Sequence, residues 1–331
     1  MVPTRLIATK KSATVFCFIL LSFMFISNRK SANSSYLLNT GKKEQTFIYR
    51  RRPCSCSRPL SQQDSNELII DETPSSLCSQ YSTLRGFHQR IISISMFGFA
   101  SKSVFDRNSS TTYLHQLIAD MNKLYPNWIL RVYHDSTIES KLVCSVECTY
   151  DHVDFCNANS LGRLGDNHVD IMVSRDLDSP LTLRELAAVD EWISSGKAWH
   201  TMRDHPMHFV VMLGGMWGFR PALNRTFSKY VLQTILNRSL VTGYNGRGDQ
   251  GFLSDNIWPH IQNQIIAHDS YLCREPYSRN SRPWPTRRLP PSNDTNCFVG
   301  CSRPCCQPSK YPFGECPTAC RPKNHTDWAM C

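Results

Sequence analysis

From Arg90 onward, short β-rich apolar runs alternate with an amphipathic stretch, and this order constrains the fold more than any other feature of the chain. "RIISISMF" (90–97) reads as a strand. "TTYLHQLIADMNKLYP" (111–126) places Leu114, Leu117, Ile118, Met121 and Leu124 on one helical face. "NWILRVYHD" (127–135), "LVCSVEC" (142–148) and "HVDIMV" (168–173) read as three further strands. Strand–helix–strand alternation implies an α/β domain built on a mainly parallel sheet. In such sheets ligands gather at the carboxyl ends of the strands. The last of these runs leads into "VSRDLDSPLTLRE" (173–185), which sets Asp176 and Asp178 at such an end. Two carboxylates at i and i+2 on a turning backbone can chelate one hard cation. The same spacing suits a nucleophile with its acid/base partner.

The next helix carries its own start and stop signals. Thr182 and Glu185 form a capping box ahead of "LRELAAVDEWISS", and Gly196 closes it. After "KAWHTMRDHPMHF" (197–209) and the apolar "VVMLGGMWGF" (210–219) come a helical "FSKYVLQTIL" (227–236) and a turn entering a helix, "GRGDQGFLSDNIWPHI" (246–261). From about 274 the chain turns proline- and arginine-rich, and seven cysteines crowd into 297–331. That tail, 276–331, has too little apolar material for a core of its own and reads as disulfide-stapled. Zinc is the rival, but the cysteine spacings are not of the C-x-x-C type. Seven more cysteines lie in 54–273, so full pairing within the chain requires at least one bridge from tail to body, with Cys273 a candidate. Residues 28–89 lack sustained periodicity and read as a stem tied by Cys54, Cys56 and Cys78.

The amino-terminal segment indicates the compartment. "SATVFCFILLSFMFIS" (12–27) is flanked by Lys10 and Lys11 before it and Arg29 and Lys30 after it. A helix of that length spans about 24 Å, enough for a thin early-secretory bilayer. A cleaved signal peptide is the alternative, but no small-residue cleavage site follows. Six N-glycosylation sequons lie downstream, at Asn33, Asn108, Asn224, Asn237, Asn293 and Asn324, with fourteen of the fifteen cysteines. These place residues 28–331 in the lumen of the Golgi or endoplasmic reticulum, behind a cytosolic tail (1–11) and an uncleaved signal anchor, with Asn33 close to the membrane. The net charge of +10 belongs to the membrane flank: residues 1–66 carry eleven Lys/Arg against two Asp/Glu, the remainder 26 against 25. A near-neutral lumenal body sets nucleic-acid binding aside.

Four runs together, "YPNWILRVYHD", "SRDLDSPLTLRELAAVDEW", "HTMRDHPMHFVVMLGGMWGFRP" and "GDQGFLSDNIWPHI…AHDSYLC", resemble the D-x-D-containing GT-A-type glycosyltransferases over roughly residues 90–275. The resemblance implies a Rossmann-like nucleotide-diphospho-sugar transferase fold, Mn²⁺ or Mg²⁺, a nucleotide-diphosphate sugar as donor and a glycan, glycoprotein or glycolipid as acceptor. It leaves the sugar and the stereochemistry open. Carried onto this chain, Asp176 and Asp178 become the metal and diphosphate residues, with His268 of "AHDS" as a third ligand. Arg175 and Arg184 become partners of phosphate or of the acidic cluster; for Arg184 the alternative is a surface ion pair with Glu185 or Asp190.

"MRDHPMH" sets Arg203, Asp204, His205 and His208 close together after a strand, a density suited to holding sugar hydroxyls or a base; the plainer alternative is a solvated loop. Gly214 and Gly215 permit close backbone approach, and Trp217 can stack on a sugar face. Asp249 and Gln250 precede a helix near the substrate hydroxyls. Should the reaction invert, Asp249 or Asp204 would take the acceptor's proton. Two other classes compete: a haloacid-dehalogenase-like phosphatase, against which Ser174 and Arg175 intervene between apolar strand and first acid, and a non-catalytic lumenal glycan-binding or adhesion protein, for which "GRGDQ" is the cue.

Overall fold

The computed structural model describes residues 46–50, 54–61, 76, 78–158, 166–244, 248–274, 277, 279–288, 298–305 and 314–331. The apolar segment 12–27, Asn33 and Asn293 lie outside the described residues, among which no helix is long and apolar enough to cross a membrane. Two short strands, β1 (Thr46–Arg50) and β2 (Ser57–Ser61), pair antiparallel. A short helix, α1 (Gln80–Leu84), leads into β3 (Gln89–Met96). Helix α2 (Val104–Leu124) then buries Leu114, Leu117, Ile118 and Met121, the face its sequence period marks. It begins earlier than the periodicity suggests because Ser103 caps it, accepting from the Asp106 N–H.

Strand β4 (Ile129–His134) follows, but the strand expected at 142–148 is a helix, α3 (Ser140–Thr149). Its Val143 and Val146 are buried at helical spacing, which a seven-residue apolar run does not distinguish from strand alternation. The strand instead falls at β5 (Val153–Asn157). Strand β6 (Val169–Arg175) runs up to the acid pair, and α4 (Leu183–Ser194) opens on Thr182, whose hydroxyl accepts from the Glu185 N–H. Gly196, at φ +73, ends it as expected.

Strands β7 (Trp199–Arg203) and β8 (Met216–Phe219), helices α5 (Arg225–Leu236), α6 (Arg238–Thr242), α7 (Gly248–Asn256) and α8 (Trp258–Ile261), and strands β9 (Ile265–Asp269) and β10 (Ser281–Arg282) complete the domain.

Eight strands form one mixed sheet in the order β10-β9-β7-β8-β6-β3-β4-β5, with β8 antiparallel to both neighbours and every other pair parallel. On one face Ile92, Ile94, Leu130, Val132, Ile171 and Val173 pack with α2, Val143 and Val146 of α3, and Val189 and Trp192 of α4. On the other, around β7 and β8, Trp199 and Phe219 pack with Val231, Phe252 and Leu253 of α5 and α7. The chain starts its sheet at β3, builds outward through β4 and β5, then returns to the opposite side of β3 with β6. The crevice between β3 and β6 is therefore a topological switch point.

Segments before and after the sheet are stapled to this body. Cys54–Cys144 and Cys56–Cys148 fasten the segment before β2 to α3, and Cys78–Cys156 fastens α1 to β5. Cys144 and Cys148 stand one helical turn apart, so two cysteines at i and i+2 on an extended segment can meet them on one face. Between the staples Arg58 is buried, its Nη1 on Asp154 (3.3 Å) and its Nη2 donating to the Val153 carbonyl (2.7 Å). The tail carries Cys301–Cys305 and Cys316–Cys331, and Cys273–Cys320 joins it to the body, the bridge that cysteine parity requires. Trp284 and Val299 also enter a shared cluster with Ala188, Met202, Leu213 and Met216.

Candidate functional site

Alternation along the strands determines what faces the crevice. Ile91, Ser93 and Ser95 of β3, Arg131 and Tyr133 of β4, Met172 and Ser174 of β6, and Trp217 and Phe219 of β8 line one cavity of about 320 Å³, roofed by α5 and α7. The serines leave room where Ile, Leu or Val would fill the sheet surface. "ISIS" in β3 was the available signal: small polar residues at i and i+2 in an otherwise apolar strand mark a face that meets something other than core.

At one end of the cavity stand Asp176 and Asp249. Asp176 is the first residue past β6, and Asp249 lies in the first turn of α7. The "GG" of "LGGMWG" is what lets them in. A Cβ on Gly214 would stand 2.5 Å from Asp249 Cγ, and one on Gly215 would stand 2.5 Å from Asp176 Oδ1. The Ser174 hydroxyl donates to the Gly214 carbonyl (3.1 Å), holding the glycine pair against β6. Asp178 is near enough to act on Asp176 electrostatically.

Burial, with Asp178 and Asp249 as like-charged neighbours and Arg175 in partial opposition, pushes Asp176 up to about 6, although the cavity mouth leaves its side chain exposed and water there works against the shift. Burial also raises Asp249, opposed by the hydrogen bond its Oδ1 accepts from the Gln250 N–H (2.8 Å). Among the described residues the carboxylates of Asp176 and Asp178 accept no hydrogen bond and form no ion pair. Gln250 itself is exposed, and Trp217, half-buried on the cavity wall, backs onto Trp199 with ring centroids 5.8 Å apart.

Apart from Arg175, the other residues singled out from the sequence lie in two buried networks that do not line this cavity. Asp204 is fully buried. It receives Arg184 Nη2 (2.9 Å), the Ser270 hydroxyl (2.7 Å), the Val299 N–H (2.9 Å) and a guanidinium nitrogen of Arg288. Burial alone would raise the Asp204 carboxyl, but Arg184 and Arg288 hold it below the usual carboxylate range. Arg184 therefore pairs neither with Glu185 nor with Asp190. Arg203 is buried on Asp269 (2.7 Å), and the His205 and His208 rings pack on Phe298. "MRDHPMH" is thus half strand end and half tail-covered loop, and its charges serve the junction between body and tail.

His268 is fully buried, its Nδ1 on His200 Nε2 (2.8 Å) and its Nε2 on Glu191 (3.3 Å). Both ring nitrogens are engaged, and among the described residues His268 does not close with Asp176 and Asp178 into a metal-ligand group. Arg175 touches the cavity, but its Nε is bound to Glu185 (2.6 Å) and its Nη1 donates to the Ser174 and Trp217 carbonyls. Glu185 serves this arginine instead of closing the capping box.

A hard divalent cation fits the acid end. Its donors are carboxylate oxygens, negative charge is concentrated there and only partly offset by Arg175, and the glycines keep the approach open. Asp176 and Asp178 are the pair that would hold it. Among the described residues these carboxylates do not join Asp249 in a closed three-ligand group, so an ion held there would need further ligands from substrate phosphate or water. The group that does close, Asp269 with Cys273 and Cys320, is a disulfide beside a carboxylate already bound by Arg203 and by the N–H groups of Tyr271 and Leu272. Its sulfurs are not thiolates and do not ligate.

No protein-family model matches the chain, and no curated protein matches it. Among solved structures, mouse xyloside xylosyltransferase 1 in its apo form is similar at 12% identity, covering 58% of this chain and 91% of that one, with a TM-score of 0.34.

Proposed function

We propose that this chain is a metal-dependent glycosyltransferase of the GT-A type, anchored in a Golgi or endoplasmic-reticulum membrane with its body in the lumen. One observation carries the reading: Asp176 and Asp249, with Asp178 beside them, crowd one end of a cavity at the β3/β6 switch point, and the nearest guanidinium, that of Arg175, is already bound to Glu185. A nucleoside-diphosphate sugar suits both features, since its diphosphate requires a cation and its length requires a cavity. The six disulfides among the described residues and the exposure of Asn108, Asn224, Asn237 and Asn324 support the lumenal setting.

Asp176 and Asp178 would hold the divalent ion, which when bound neutralises charge on the leaving diphosphate. Asp249, made more basic by burial, would accept the proton of the acceptor hydroxyl as its oxygen bonds to the anomeric carbon. The bond from that carbon to the phosphate oxygen breaks, and its electron pair leaves with the nucleoside diphosphate. Trp217 offers a ring face on the cavity wall for the sugar.

The test is a titration of the lumenal protein with Mn²⁺ and a panel of nucleotide sugars, read by binding and by slow donor hydrolysis. Wild type binds one or more donors only with Mn²⁺, and Asp176→Asn and Asp178→Asn each lower hydrolysis by about a hundredfold or more. Unchanged metal-stimulated hydrolysis in both variants would refute the assignment. Because β6 runs through Ser174 and Arg175, Asp176 follows the strand directly, as a phosphatase nucleophile would. A phosphomonoester therefore joins the panel; its hydrolysis, lost in Asp176→Asn without any donor binding, would replace the transferase reading.

A further inference from the structure

The acid pair sits in a turn with one internal bond, from the Ser179 N–H to the Asp176 carbonyl (3.2 Å). Like charges on so small a turn repel, and they keep their places only if something outside the turn fixes its backbone. The tail supplies that restraint. The Arg303 N–H donates to the Asp178 carbonyl (2.8 Å), while the Arg303 guanidinium reaches Asp120 on α2 (2.5 Å). The same Asp120 carboxylate accepts the Leu181 N–H (3.2 Å), just past the acid pair. Tyr113, also on α2, donates its hydroxyl to the Arg303 carbonyl (3.2 Å).

Arg303 itself is bracketed by the Cys301–Cys305 disulfide. Upstream, Val299 is buried beside Met216 with its N–H on Asp204 (2.9 Å). Gly300, at φ +87, lies so close to Met216 that a Cβ would stand 2.5 Å from its Sδ. Residues 298–305 are thus fixed to the body at one end and bridge α2 and the acid turn at the other.

We propose that this disulfide-closed tail loop is a positioning element for the metal-binding turn, with Arg303 and Asp120 as positioning residues that act through the Asp178 and Leu181 backbone. The inference rests on the function proposed above for Asp176 and Asp178. Arg303 does not neutralise the ion's ligands, because its guanidinium is on Asp120; its contribution is placement. The loop thereby gives the cysteine-rich tail a role in the site.

The test uses the full lumenal protein with its disulfides intact, as wild type, Arg303→Ala, Arg303→Lys, Asp120→Asn and the Arg303→Ala/Asp120→Asn double variant. Mn²⁺ affinity is measured by titration, and amide exchange at Ser179 and Leu181 by mass spectrometry. Arg303→Ala and Asp120→Asn should each weaken Mn²⁺ binding about tenfold and speed exchange at Leu181. The double variant should be little worse than the singles, because they break one linkage, and Arg303→Lys should recover part of the loss. Asp120 is partly exposed, so its variant keeps the fold should Arg303→Ala not. Unchanged Mn²⁺ affinity and unchanged exchange in both single variants would overturn the proposal while Asp176→Asn still abolished binding. If wild type bound no Mn²⁺, the functional reading would fail and the metal role with it; faster exchange in the variants would then still establish that the loop holds the turn, and unchanged exchange would refute that as well.

Discussion

Placing a single methyl group on Gly214 or Gly215 separates site geometry from stability more cleanly than removing a carboxylate does. A Cβ on Gly215 would stand 2.5 Å from Asp176 Oδ1, with the rest of the carboxylate nearer still, where ordinary contact begins near 3.4 Å. Asp176 must therefore retreat by about 1 Å, a displacement worth about a hundredfold in rate when it moves a reacting or ligating group. In free energy that is about 2.7 kcal/mol. Neither glycine adopts the left-handed backbone that alanine resists, and what each methyl meets is the free end of a side chain. Folding should therefore lose about 1 kcal/mol, the low end of overpacking.

The two variants should differ in kind. Gly215→Ala displaces a metal ligand and should weaken Mn²⁺ binding together with donor hydrolysis. Gly214→Ala displaces Asp249 and should slow hydrolysis about a hundredfold while Mn²⁺ affinity stays within a few-fold. Gly314→Ala, which meets nothing within 4 Å, is the control and should match wild type. Thermal unfolding, Mn²⁺ titration and donor hydrolysis on the same preparations decide it. Wild-type Mn²⁺ affinity in Gly215→Ala, or activity lost only in proportion to a large drop in melting temperature, would refute the assignment of these carboxylates.

Two further outcomes test the frame around the site. Burial, reinforced by His205, lowers His208 to about 4, so the folded protein keeps the ring neutral where the unfolded chain takes up a proton; stability should be complete above about pH 6.5 and fall by about 2 kcal/mol toward pH 4, allowing for the ring's partial exposure, and His208→Gln should flatten that slope in urea titrations. A slope unaltered by the substitution would count against it. Asp154→Asn leaves Arg58 buried opposite a neutral amide and weakens the hold of Arg85, and should lower unfolding free energy by about 3–5 kcal/mol; a loss under about 1 kcal/mol would mean that the disulfides alone hold the amino-terminal segment.

Local physics was sufficient for some of this protein. The periodicity of α2, the cap at Thr182, the glycine stop at Gly196 and the strand that ends at the acid pair each depend on neighbours a few residues away. Cysteine parity required a bridge from tail to body because it is a count, independent of folding. The local signal gave out at "LVCSVEC", where buried valines three apart fit helix and strand alike, and tertiary packing chose the helix.

Charged side chains were legible as candidates and illegible as to role, because a charge is defined by a partner that is usually distant in sequence. Asp204 and Asp249 look equivalent in one dimension. Asp204 closes on Arg184, Arg288 and Val299, contributed by α4 and the tail, and is thereby neutralised within the fold. Asp249 is carried by α7 against Gly214 and toward the carboxylate of Asp176, and among the described residues it forms no ion pair. His268 was drawn instead to His200 and Glu191 by the register of β9 on β7. The sequence by itself determined β3, β4 and β6 and that β6 ends in acid. Which acids remain unbalanced was decided by the tertiary structure alone, since only the folded chain brings each charge to its partner or leaves it without one.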